Sequence, residues 1–137
     1  MKKNYRYFDH TADLGVEVWG ENLVALLINI GKAIFETQIH GRINATRKKT
    51  IVIHSESPQD LFIDWCRELL FNFSVSSFIP HQYEISINDN SLQAHLKGDT
   101  FDPKRHRVKL EIKNPTYHDL KLYAQEGKFY ARIIFDV

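Results

Sequence analysis

FDHTADLG, Phe8 to Gly15, places two carboxylates and an imidazole within a stretch of eight residues. Asp9 and Asp13 are four positions apart, which is roughly 13 Å along a straight strand and too far for both to bind one ion. The segment His10 to Ala12 must therefore bend, or only one of the two carboxylates can act. Short polar side chains such as Asp and Thr favour bends because they bond to nearby backbone groups.

The far end of the chain, IIFDV, supplies Asp136 and the α-carboxylate of Val137. We expect the two ends to meet, because oxygen ligands gathered from both would suit a hard divalent cation. The set lacks the Cys and His content of a structural zinc site. Spacing alone favours a simpler interpretation, in which Asp9 and Asp13 shape a turn and Asp136 belongs to a fraying tail.

Hydrophobic periodicity around FDHTADLG predicts two short strands and then a helix. Tyr5–Phe8 and Leu14–Trp19 are the strands, and Asn22 is a typical N-cap for the helix, whose apolar stripe fades near Gly41. A strand is predicted at Thr46–His54.

A second helix should begin at Ser57, with Pro58 in its first turn, and should end between Ser74 and Pro80. The remainder alternates with period two and contains turn residues. The predicted strands centre on Tyr83–Ile87, Leu92–Leu96, Val108–Ile112, Leu120–Leu122 and Phe129–Phe135, with turns at Asn88–Asn90 and Gln125–Gly127. This order predicts an α+β fold of two layers, with two helices packed on one face of a mostly antiparallel sheet.

Length and composition bound the class of protein. The 137 residues predict a single domain, 1–137, and a formal net charge of +1 provides no global attraction for nucleic acid or membrane. Two short basic clusters, Arg47–Lys49 and Lys104–Arg107, are more typical of solvated loops than of RNA-binding patches. Cys66 is the only cysteine and is expected to be buried, which fits a reducing compartment. With no apolar run of membrane-spanning length and no signal peptide, the expected location is the cytoplasm.

Three motifs resemble those of one family, the archeases. FDHTADLG followed by VEVWG is similar to the family's opening motif, EIKNPTYHDLKL (Glu111–Leu122) to its central TYH segment, and ARIIFDV (Ala131–Val137) to its last strand. The three occur in the family order across the whole chain. The sequence departs from the family pattern at Asn114-Pro115 and at Asp99, where Glu is more usual. The proline affects the placement of Lys113 more than it affects the fold.

The resemblance implies an archease-like fold and a non-enzymatic, chaperone-like accessory protein. Archeases activate the GTP-dependent tRNA-splicing RNA ligase, promoting its guanylylation and its multiple turnover in tRNA splicing and RNA repair. The implied partner is that ligase; RNA is met only indirectly, and no membrane is involved. The implied cofactor is a divalent metal ion, calcium first and magnesium second. By the resemblance its ligands are Asp13, Asp136 and Val137, with Asp9, His10 and Lys113 in supporting or partner-contacting positions, and no residue is catalytic.

Two other classes of function stay open. His10, Lys113 and His118 could form the acid–base set of a small metal-dependent, RNA-acting hydrolase. The chain has no Walker A loop, GxSxG or HExxH motif to support autonomous catalysis. The other class is an RNA-binding or chaperone-like module that uses the basic loops.

Overall fold

The computed structural model describes residues 3–9 and 12–137 of the chain. In chain order the elements are β1 (Tyr5–Phe8), β2 (Leu14–Gly20), α1 (Leu23–Gln38), β3 (Ile39–His40), β4 (Arg47–His54), α2 (Pro58–Ser76), β5 (Phe78–Asn88), β6 (Ser91–Thr100), β7 (Arg107–Val108), β8 (Asn114–Gln125) and β9 (Lys128–Asp136). Every described pair of neighbouring strands is antiparallel. The predicted α+β class, two helices with a mostly antiparallel sheet, is confirmed.

The strands are divided among three sheets. The largest has the order β1-β2-β9-β8, a second has the order β4-β6-β5, and β3 pairs with β7 alone. Both helices contact strands of the two larger sheets. The sequence predicts the strands but not this division, because pairing between distant segments leaves no local signal.

The core lies where the helices meet the sheets. Leu27, Ile30 and Ile34 of α1 and Phe62 and Trp65 of α2 are almost completely excluded from solvent. The indole N–H of Trp65 donates to the main-chain oxygen of Leu27 at 2.8 Å, which joins the two helices inside the core. Cys66 is also fully buried, as predicted, and this burial raises the pKa of its thiol far above the ordinary value.

Both predicted helix starts are confirmed. Asn22 caps α1 by accepting a hydrogen bond from the amide of Ala25 at 2.8 Å. Ser57 caps α2 by accepting one from the amide of Asp60 at 3.1 Å, and Pro58 is the first helical residue. Caps are predictable because donor and acceptor are only three residues apart.

Two other boundaries differ from the prediction. The apolar stripe that fades near Gly41 indicates a helix end there, but α1 ends at Gln38 and the chain enters β3 directly. The end of α2, at Ser76, lies within the predicted interval; Ser77 adopts a left-handed conformation (φ 56°), and β5 begins at the next residue.

The predicted strand at Val108–Ile112 is reduced to the two residues of β7. Gln38 explains the change, because its main-chain oxygen accepts from the amide of Lys109 at 2.7 Å and its side-chain oxygen from that of Ile112 at 3.0 Å. These amides therefore bond to the end of α1 and not to a long neighbouring strand. Among the described residues, no helix is long and apolar enough to cross a membrane.

Candidate metal centre at the acidic end of the four-stranded sheet

The chain reverses direction between β1 and β2. These strands are antiparallel, with Phe8 opposite Gly15, so Asp9 and Asp13 both follow at the same end of the pair. Ala12 adopts a left-handed conformation (φ 63°) in this reversal. The bend that the spacing of the two carboxylates requires is therefore present. His10, one of the predicted supporting residues, lies outside the described residues.

The last strand comes to the same end of the sheet. β9 pairs with β2, and Leu14 lies opposite Phe135. Asp13 and Asp136 each lie one residue beyond this pair, on adjacent strands. Asp13 is partly buried and Asp136 is exposed, while Val137 is partly buried against the edge of the core. The expectation that FDHTADLG and the final strand meet is therefore correct at the level of the backbone.

Lys113 arrives from a third segment. Its amide donates to the main-chain oxygen of Asp136 at 2.8 Å, immediately before β8 begins at Asn114. Ile112 is buried and Lys113 is exposed, as the alternation of the sequence predicts. We call the group formed by Asp9, Asp13, Lys113, Asp136 and Val137 the acidic end.

The acidic end has the donor chemistry of a hard-cation site. Carboxylate and main-chain oxygens are the ligands that calcium and magnesium prefer, and calcium takes six to eight of them. Within residues 3–9 and 12–137, no group of three or more His, Cys, Asp or Glu side chains could hold a metal ion. The predicted set has only two ligating side chains, Asp13 and Asp136, beside Val137. Water or oxygens from a partner would have to complete the coordination, and the ligands remain a prediction.

A close contact fixes the hairpin that carries Asp9 and Asp13. The ring of Phe8 lies against Gly15, where an added Cβ would be only 2.4 Å from a ring carbon. A side chain at position 15 would therefore displace the Phe8 ring from this position. The guanidinium of Arg132 lies over the ring of Phe8, 3.6 Å from its centre.

The TYH segment forms an irregularity in β8. The register with β9 shifts between Thr116 and Lys121, and Asp119 has a left-handed conformation (φ 52°). The hydroxyl of Tyr117 donates to the carboxylate of Asp60 at 2.6 Å, which joins this bulge to the first turn of α2. That hydrogen bond raises the pKa of Tyr117 to about 12. The sequence singles out this motif, but it does not reveal that Asp60 is its partner.

His118, proposed for the hydrolase alternative, lies in the same bulge. Its side chain is two-thirds exposed, and its Nε2 is 3.4 Å from a carboxylate oxygen of Asp119. Because His10 is outside the described residues, the hydrolase set remains a prediction.

The proline of the TYH motif is accommodated without loss of the strand. Pro115 lies opposite Phe135 in β8, which is an edge strand of the four-stranded sheet. A missing backbone donor is tolerated best at such an edge. The departure from the family pattern at Asn114-Pro115 thus leaves Lys113 next to Asp136.

Away from the acidic end, the buried carboxylate of Asp99 is the centre of a cluster that sequence analysis missed. It is 97 % excluded from solvent and accepts hydrogen bonds from the amides of Asn44 (2.9 Å) and Thr100 (2.8 Å). Arg105 donates to both of its oxygens, at 2.9 and 3.2 Å. These hydrogen bonds, that of Arg105 above all, hold the pKa of Asp99 well below its usual range. We call Asp99, Arg105 and His106 the Asp99 cluster.

His106 completes that cluster. Its Nδ1 accepts from the amide of Asp102 at 2.9 Å, so its Nε2 carries a proton, which it donates to the main-chain oxygen of Arg42 at 2.8 Å. The expectation that Lys104–Arg107 forms a solvated loop is therefore wrong for His106, which is buried, whereas Arg105 is bound to Asp99 but stays partly exposed. The signal that the sequence offered was Asp99, an acidic residue that precedes the basic run Lys104–Arg107.

Fold and site together define an α+β protein whose chain ends and TYH segment converge on an exposed, oxygen-rich edge. The model of the archease protein family matches residues 5–137. The chain therefore belongs to the archease family.

Individual relatives agree over their whole length. The archease of Methanosarcina mazei is 26 % identical over 141 residues, covering 98 % of this chain and 97 % of the relative. That of Pyrococcus abyssi is also 26 % identical, covering 98 % and 99 %.

Two solved structures share the fold. Protein 1598 of Methanobacterium thermoautotrophicum superposes with a TM-score of 0.83 at 26 % identity, covering 99 % of this chain and all of the other. A Thermotoga maritima protein described as an archease and possible chaperone gives 0.68 at 23 % identity, covering 100 % and 98 %, which shows the likeness of the fold.

Proposed function

We propose that this archease is a non-enzymatic, metal-binding activator of a GTP-dependent tRNA-splicing RNA ligase. It promotes guanylylation of the ligase and its multiple turnover, in the cytoplasm. The observation that carries the proposal is the convergence of Asp13, Asp136 and Lys113, from three distant segments, on one exposed end of the sheet. At this end RNA is met only through the ligase.

Asp13, Asp136 and Val137 would hold the ion, and Asp9 and His10 would support it. A bound calcium ion, or magnesium in its place, supplies positive charge that a carboxylate or phosphate of the ligase site can share. Because the ligand set of the acidic end is small, it leaves coordination positions for such a partner. Insertion of this end into the ligase site would therefore complete the coordination of the ion.

Lys113 has a separate role. An ammonium group is a hydrogen-bond donor only and cannot be a ligand of a cation. Positioned by its own main-chain bond to Asp136, its exposed side chain is available to a phosphate or carboxylate of the partner. Lys113 would thus contribute to docking or to nucleotide positioning, and not to metal affinity.

Guanylylation of the cognate ligase by GTP, with and without the purified protein, is the test. The protein should raise the guanylylation rate and should by itself neither cleave RNA nor hydrolyse GTP. Lys113→Ala should impair activation and retain calcium binding. Lys97→Ala, which removes an equally exposed lysine from the three-stranded sheet, is the matched control.

Two results would contradict this proposal. Unchanged activation by Lys113→Ala would remove Lys113 from the contact with the ligase. Metal-dependent RNA cleavage by the isolated protein, lost in His118→Ala, would favour the hydrolase instead.

A further inference from the structure

The four-stranded sheet has one face turned away from the core. Val16 and Val18 of β2 and Ala131 and Ile133 of β9 are buried, so the residues between them project from the opposite side. We call this side the outer face. The residues that it uses are Arg6 and Phe8 of β1, Glu17 and Trp19 of β2, Lys121 and Tyr123 of β8, and Tyr130 and Arg132 of β9.

Three aromatic residues form a row across the outer face. Trp19 lies opposite Tyr130, and Tyr130 lies opposite Tyr123 on the other side. The two tyrosine rings are stacked, with centres 5.3 Å apart and planes 12° apart. Tyr123 is 46 % exposed and belongs to the edge strand β8, so an added ring could extend the stack from the edge of the sheet.

A row of charged residues runs beside the aromatic row. Glu17 lies opposite Arg132, and Arg132 lies opposite Lys121. Arg6, on the other side of Glu17, has a side chain that is 69 % exposed. Glu17 accepts from Arg6 at 3.1 Å and from Arg132 at 3.4 Å, so one carboxylate holds two guanidinium groups in line. The row therefore has three cations and one anion.

The two rows border a common depression. A cavity of about 170 Å³ is lined by the residues of the aromatic row, by Glu17, Lys121 and Arg132 of the charged row, and by Val18 and Ala131 between the rows. The rows are two residues apart along the strands, roughly 7 Å. This separation is close to that between a base and its own phosphate in a nucleotide. Parallel rows of rings and cations are what a single-stranded nucleic acid requires.

We propose that the outer face binds single-stranded RNA, with bases stacked on Tyr123 and its row and phosphates bound by Arg6, Lys121 and Arg132. The preference for RNA over DNA rests on the proposed function, whereas the stacking and the charge do not. The sequence alone predicts only indirect contact with RNA, because these four strands are far apart in the chain. A protein partner fits less well, since it would have to bury three cations that have one carboxylate among them.

The experiment measures binding of the intact protein, without ligase, to a fluorescent single-stranded RNA of about ten nucleotides by anisotropy. Tyr123→Ala should lower the affinity about fivefold or more, because one stacked base is lost. Tyr123→Phe should bind like the parent, because it keeps the ring. A role of the hydroxyl, which both variants lack, would instead lower the affinity equally in Tyr123→Phe and Tyr123→Ala.

Charge is tested separately at Lys121. Lys121→Glu should lower the affinity for RNA and make it less dependent on salt. The slope of log affinity against log salt concentration should fall in magnitude by at least about 0.7, the value expected for one phosphate contact. Lys97→Glu makes the same change on the exposed side of the three-stranded sheet and should bind nearly as the parent does. Asp136→Ala should also bind RNA normally. Loss of ligase activation without loss of RNA binding would therefore concern the acidic end, and loss of RNA binding would concern the outer face.

Four results would overturn this inference. They are absence of RNA binding by the parent, equal losses in Lys97→Glu and Lys121→Glu, and an equal or higher affinity for DNA of the same sequence. The fourth is loss of ligase activation in Tyr123→Ala with unchanged RNA affinity, which would assign the outer face to a protein partner.

Discussion

Asp99 and Asp136 are both aspartates beside a basic residue, yet their surroundings differ completely. Asp99 is buried, and its two oxygens accept four hydrogen bonds from Asn44, Thr100 and Arg105. Asp136 is exposed at the end of a strand, and the amide of Lys113 bonds to its main-chain oxygen and not to its carboxylate. The carboxylate oxygens of Asp99 are occupied by hydrogen bonds within the protein, whereas those of Asp136 face solvent.

The comparison distinguishes a carboxylate that stabilises the fold from one that is able to bind a ligand. A buried carboxylate with filled acceptors joins distant segments and has little capacity left for a ligand. An exposed carboxylate at a strand end contributes little to stability and can accept an ion or a partner. Asp99 lies close to a charged run and Asp136 lies in a terminal motif. The sequence alone therefore does not distinguish the buried carboxylate from the exposed one.

Removal of Asp99 should have the largest effect on stability. Asp99→Ala leaves the amides of Asn44 and Thr100 without their acceptor and the partly exposed Arg105 without its partner, at a cost of about 2 kcal/mol in the free energy of unfolding. Urea denaturation measures this. Asp136→Ala is the matched control and should change the free energy by less than about 0.5 kcal/mol. Similar losses in both variants would remove the distinction between the two carboxylates.

Calcium affinity, unlike stability, should depend on the carboxylates of the acidic end. Asp13→Ala and Asp136→Ala should each lower calcium affinity about tenfold or more, because each removes a charged ligand. Without metal the same variants should be as stable as the parent or slightly more stable, since clustered carboxylates repel one another. Titration calorimetry with calcium and with magnesium is the measurement. Unchanged affinity in both variants would exclude these two side chains from the site.

Acid should weaken the Asp99 cluster selectively. Since the pKa of Asp99 is depressed in the folded protein, its stabilisation is present above the ordinary aspartate pKa of about 4 and is lost as the pH falls below it. The stability difference between the parent and Asp99→Asn should therefore be constant near neutral pH and shrink below about pH 4. Thermal unfolding of both proteins from pH 7 to pH 2.5 follows this. A difference that grows on acidification would contradict the assignment.

Tyr117 should give the smallest effect. Tyr117→Phe removes one hydrogen bond to Asp60 from a half-exposed side chain and should cost less than about 1 kcal/mol. Because the folded pKa of Tyr117 is raised to about 12, the contribution is complete below pH 10 and is lost as the pH rises towards 12. Urea denaturation at neutral pH and at pH 10.5 compares the two proteins. A larger difference in the free energy of unfolding at pH 10.5 than at neutral pH would contradict this role of the Tyr117 hydroxyl.

The sequence predicts those parts of the fold that depend on near neighbours. Asn22 and Ser57 cap their helices through residues three positions away, and the Gln125–Gly127 turn joins β8 to β9 as expected. In that turn Glu126 and Gly127 both have positive φ, which suits a tight antiparallel hairpin.

The parts that were missed depend on distant partners. Gln38 bonds to the amide of Ile112, 74 positions away, and this contact prevents the predicted strand. His106 is buried and bonds to the main-chain oxygen of Arg42, 64 positions away, so charge pattern alone misplaced it in solvent. The meeting of the acidic end's segments was predicted because three motifs resemble those of the archeases, although the spacing of its residues alone favours a simple turn.

The position of β9 constrains when the protein can fold during its synthesis. This strand, which is the last in the chain, lies inside the largest sheet, between β2 and β8. Glu17 and Arg132, which meet across β2 and β9, are 115 residues apart in sequence. Until translation has reached β9 and released it from the ribosome, β2 has one unpaired edge and the core lacks Ile133 and Phe135. Contacts between such distant segments slow folding and prolong exposure of unpaired strand edges. The nascent chain therefore carries the unpaired edge of β2 until β9 emerges, and a cell's chaperones would bind it in that interval.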